Sequence, residues 1–115
     1  MNPEDTVVTL TAAGSAEEAA RLARILVEER LAACVNVVPG VRSFYRWKNA
    51  LCDESEWILL IKGRRSLFNR LKDRILELHS YDLPEVLCLD VAGGHGPYLQ
   101  WIEESTRIEE SRDGT

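Results

Sequence analysis

The chain has 115 residues, 45% of them hydrophobic and 29% charged, a size and balance that suit one domain around a single core. Nineteen acidic against fourteen basic residues give a net charge of -5, which argues against a nucleic-acid partner, since that needs a clustered basic face. No apolar run approaches the ~18 residues of a membrane span, and MNPEDTVVTL carries neither a basic leader nor a signal core, so a cytoplasmic protein without a membrane partner is expected.

Thr6–Thr11 (TVVTLT) reads as a short strand. Ser15 then opens a helix, with Glu18 at capping-box spacing, so that hydroxyl and carboxylate each satisfy a backbone donor. Ala19, Leu22, Ala23, Leu26 and Val27 form its apolar stripe, Glu17 is spaced to pair with Arg21, and the helix should end near 31–33. Two runs follow, Leu31–Trp47 and Ser55–Lys62, too rich in Val, Ile and aromatics for helices. The polar segment Lys48–Asp53 joins them as a hairpin tip. The first arm can reach about twice the common strand length of ~5–6 residues, bent or bulged at Pro39-Gly40 with its proline on an edge.

Ser66 is expected to cap a second helix striped by Leu67, Leu71, Ile75 and Leu78. The basic patch Lys62–Arg65, continued by Arg70, Lys72 and Arg74, reads as a solvated helix face rather than an anion contact. Pro84 precedes a strand over Glu85–Val91, Gly93-Gly94 breaks it, and Pro97 enters a last helix with Tyr98, Trp101 and Ile102 on its apolar side. The tail 109–115 is polar and expected to fray, leaving an ordered core of about 5–108 in a single domain over 1–115.

The order is therefore β-α-β-β-α-β plus a terminal helix, an α+β chain of ferredoxin-like sandwich type with an extended hairpin between its second and third strands. The first and third strands take the centre and the second and fourth the edges, so Cys34 and Cys88 stand two strands apart and form no disulfide. Both lie in apolar strand patterns, whereas Cys52 falls in the polar tip and is expected to be the reactive thiol. Unpaired edges and the aromatics Phe44, Tyr45 and Trp47 invite another copy of the chain.

No Gly-rich phosphate loop, GxSxG, HExxH or paired-cysteine motif is present, so no enzyme is expected. One dense polar segment remains, His79-Ser80-Tyr81-Asp82-Leu83-Pro84-Glu85. It offers an imidazole, a phenol and carboxylates on one loop, where binding groups concentrate. On these residues alone a structural role is favoured: His79 near a helix C-terminus suits the dipole there.

The blocks LAACVNVVPGVRSFYRWK, ESEWILLIK, HSYDLPEVLCLDV and PYLQWI, in order over about Thr6 to Arg107, resemble the CutA divalent-cation tolerance proteins. The resemblance implies a ferredoxin-like subunit in a tight homotrimer, a link to copper or other divalent-cation tolerance, a likeness to PII signalling proteins, and no established reaction or required cofactor. The family commonly has His-Pro-Tyr-Glu where this chain has His79 to Asp82, and a glycine where it has Asn49. Of the copper ligand set proposed for some members only His79 remains, with Thr11 and Leu78 at the other two positions. Three functions follow as expectations: weak metal binding through His79, a small anionic effector in an intersubunit cleft lined by Lys62, His79, Tyr81, Asp82 and Glu85, or a trimeric scaffold for a protein partner.

Overall fold

The computed structural model describes residues 5–108, so the expectation for the tail 109–115 lies outside the described residues. The elements are β1 (Thr6–Ala13), α1 (Ala16–Glu28), β2 (Cys34–Trp47), β3 (Ala50–Arg64), a 3-10 turn (Arg65–Leu67), α2 (Phe68–Leu78), β4 (Leu87–Asp90) and α3 (Gly96–Ser105). The four strands form one antiparallel sheet in the order β2-β3-β1-β4, which is the expected topology, with Cys34 and Cys88 on opposite edges.

Register explains the two faces. Val7, Thr9, Thr11 and Ala13 of β1 alternate with their neighbours and lie beside Leu59 and Ile61 of β3. On this face Leu22 and Leu26 of α1 and Leu71 and Ile75 of α2 bury a continuous apolar core with Ala13, Leu59 and Ile61. The Thr9 and Thr11 hydroxyls are buried here without a hydrogen-bond partner among the described residues. A buried, unpaired hydroxyl costs free energy that an isosteric methyl does not, so Thr11→Val is expected to stabilise the chain by about 1 kcal/mol, read as a higher urea midpoint.

The opposite face carries Leu87, Leu10 and Leu60 in one cross-strand row, and Leu89 and Val8 in the next. Neither α1 nor α2 covers it, and Leu87 is 53% and Leu89 48% exposed. The single chain thus leaves part of this apolar face open.

The hairpin is longer and its turn tighter than expected. β3 pairs with β1 only up to Trp57, so residues 50–56 and their β2 partners project beyond the sheet and help stretch the molecule to 51 Å. The turn is Lys48-Asn49 alone, both left-handed with φ of 51° and 66°, the geometry that matches strand twist in a two-residue hairpin. Asn49 tolerates that conformation next best to glycine. Cys52 is consequently not in a loop: it lies within β3 opposite Tyr45 and is half-buried, while Cys88 on the β4 edge is the exposed thiol. Within a single chain this reverses the expected order of exposure, because β4 is only four residues long and has no neighbour beyond it, although burial pushes the Cys88 thiol up and so works against its reactivity. The irregularity at Pro39-Gly40 occurs as expected, as a register shift between Val38 and Val41 on the edge strand, with Gly40 at φ 74°.

Three local expectations are corrected. Ser66 sits in the 3-10 turn and Leu67 takes the α2 cap position without a side-chain bond. Lys62 to Arg64 belong to β3 rather than to a helix face, and Arg64 donates to both the hydroxyl and the carbonyl of Thr106 at 2.9 and 2.7 Å, tying the end of α3 to the sheet. On α3, Leu99 and Ile102 are buried, while Tyr98 and Trp101 stack on each other at 5.5 Å with about two-fifths of their surface exposed.

Candidate functional site

The loop after α2 is held by its first residues. The helix stops at His79, which turns to an extended conformation with φ -79° and ψ 145° while its N–H still reaches Ile75. β4 pairs only with Val7–Leu10, leaving the last residues of β1 without a strand on that side. The His79 ring fills that gap: Nε2 donates to the Ala12 carbonyl at 2.6 Å, and Nδ1 accepts the Tyr81 N–H at 3.1 Å. This pattern assigns the neutral Nε2–H tautomer, with both nitrogens engaged and the side chain fully buried.

Glu18 supports the same turn, a role that capping-box spacing concealed. The Ser15 hydroxyl accepts the Glu18 N–H at 3.1 Å as expected, but the Glu18 carboxylate does not complete a reciprocal box with Ser15. It reaches across to Ser80, accepting from its N–H at 2.9 Å and its hydroxyl at 3.0 Å, and lies 3.6 Å from His79 Nδ1. Arg21 likewise donates across the helices, to the Leu78 carbonyl at 3.2 Å.

Burial pushes the Glu18 carboxyl up, but the Ser80 N–H and hydroxyl, together with the Gly14 N–H, outweigh it and hold the group below its ordinary value of 4.5. A folded-state value below the unfolded one means that the folded chain resists protonation. The stabilisation is therefore full above the unfolded value and fades as pH falls through the folded one. Denaturant titrations below pH 4.5 should show a stability loss that Glu18→Gln makes shallower.

Tyr81 completes the loop. Its ring lies 4.6 Å from the His79 ring and its hydroxyl donates to Glu56 Oε2 at 2.8 Å. Burial, then the bond to Glu56, pushes the phenol well up, so it remains a donor at any physiological pH. A side chain on Gly14 would come within 3.0 Å of the Tyr81 hydroxyl, so glycine lets the ring lie against the end of β1.

Between this loop and the hairpin stem lies a cleft of about 790 Å³. Tyr45 and Trp47 of β2 and Tyr81 supply aromatic walls. Glu54 and Glu56 of β3, with Asp82 and Glu85 of the loop, supply four carboxylates, against a single cation, Arg46. The structure thus brings Tyr81, Asp82 and Glu85 together, as the sequence suggested, and adds Glu54 and Glu56. Only the hairpin register reveals these two, because they sit in sequence among the polar residues of the arm.

Lys62 is not brought to the cleft. It lies six residues, about 20 Å of strand, beyond Glu56 and donates to Asn36 on the sheet. Within one chain the cleft is therefore acidic, whereas the anionic effector was expected in a cleft between subunits. Among the described residues no group of three or more His, Cys, Asp or Glu side chains converges to hold a metal ion. His79 could bind one only by surrendering a hydrogen bond.

Comparison with known proteins follows the same architecture. The family model described as CutA1 divalent ion tolerance protein matches residues 7–105. The chain is 46% identical over 99 residues to the divalent-cation tolerance protein CutA of Thermus thermophilus, covering 86% of this chain and 96% of that one. A solved structure of the Thermus thermophilus protein superposes with a TM-score of 0.86 at 44% identity, covering 89% of this chain and 99% of that one. A chloroplastic CutA protein of Arabidopsis thaliana is 41% identical over 89% of this chain and 56% of that longer protein. A structure described as a periplasmic divalent cation tolerance protein CutA from Archaeoglobus fulgidus gives a TM-score of 0.86 at 32% identity, over 89% of this chain and 99% of that one. The match runs from β1 into α3, through hairpin, loop and open sheet alike, and places the chain in the CutA1 divalent ion tolerance family.

Proposed function

We propose that this chain acts as a cytoplasmic, non-enzymatic homotrimer of the divalent-cation tolerance type, with at most weak metal binding of its own. The observation that carries the assembly is the open sheet face, where Leu87, Leu89, Leu10, Leu60 and Val8 line up across three strands on the side away from α1 and α2, with Leu87 and Leu89 about half exposed. Soluble chains rarely leave such contiguous apolar area facing water. Three is the number of copies that the family resemblance implies, and closed rotational symmetry gives each copy the same covered face.

The metal part of the proposal is a weak one for a physical reason. First-row affinity peaks at Cu(II) for nitrogen and oxygen donors, but tight sites need several donors that converge. Here His79 is already bonded at both nitrogens, so a copper ion must displace either Ala12 or the Tyr81 N–H. No helix of the described residues is long and apolar enough to cross a membrane. The net charge of -5 does not suit nucleic acid.

Light scattering over a wide dilution range tests the assembly. The expected mass is three times that of the 13.0 kDa chain, retained into the micromolar range. A compact species of single-chain mass at that concentration would overturn the reading.

A further inference from the structure

We draw no further inference here: the strongest candidate, the aromatic-walled cleft between the hairpin stem and the loop after α2, rests on the acidic cluster of Glu54, Glu56, Asp82 and Glu85 alone, and nothing in the structure shows what covers it.

Discussion

Leu87→Asp is expected to leave the chain folded and to abolish its self-association at micromolar concentration. Leu87 sits on the short edge strand β4, in the row Leu87-Leu10-Leu60 of the open face, and is 53% exposed in the single chain. A carboxylate there meets water in the monomer and so costs the fold little. In an assembly that covers the sheet it must be buried without a partner, a cost of roughly 3 kcal/mol or more at each copy, or at least about a hundredfold in association. Closed symmetry repeats that cost at every interface. Leu76→Asp on α2 is the matched control, because Leu76 is 47% exposed but lies on the helix layer, away from the open face. Light scattering should give single-chain mass for the first variant and parent mass for the second, with parent-like circular dichroism in both. Parent mass for Leu87→Asp would mean that the copies meet elsewhere.

Much of the architecture was legible because periodicity and punctuation act locally. The strand runs, the helix stripes and the Pro39-Gly40 irregularity followed from alternation and turn residues, and the 2-3-1-4 order from the split βαβ succession of elements. What stayed hidden depends on contacts between segments distant in sequence. Glu18 has ideal capping-box spacing, and nothing local says that Ser80, sixty-two residues on, competes for its carboxylate. The Lys48–Asp53 stretch is polar enough to look like a loop, yet Cys52 and Asp53 are strand residues, the latter held by a bidentate pair with Arg42 at 2.9 Å. Polarity there reflects a hairpin with solvent on its faces, not a turn. The sign of the cleft could not be read either, since hairpin register decides that Glu54 and Glu56 face the loop carboxylates while Lys62 falls far down the strand.

The residue on which the metal and structural readings divide is His79, and His79→Ala is expected to destabilise the protein by about 3 kcal/mol with metal chelated throughout. Removing the ring strands two buried backbone groups, the Ala12 carbonyl and the Tyr81 N–H, each worth roughly 1–3 kcal/mol when left unpaired, and water entering the vacated space recovers part of that. The loss propagates, because Tyr81 depends on the turn for its position over Gly14 and its bond to the buried Glu56. For a domain of this size such a change lowers the melting temperature by roughly 10–20 °C, compared at equal protein concentration because the assembly is expected to be concentration-dependent. His79→Gln should fall between parent and alanine, since an amide can replace one of the two bonds. Adding Cu(II) should raise the parent's melting temperature little, and no more than it raises that of His79→Ala. A chelated alanine variant that melts with the parent, together with a copper-dependent rise confined to the parent, would make His79 a ligand first and a brace second. The geometry argues the reverse, because a ring with both nitrogens bonded inside the protein has nothing left to offer an ion without first loosening the loop that it holds.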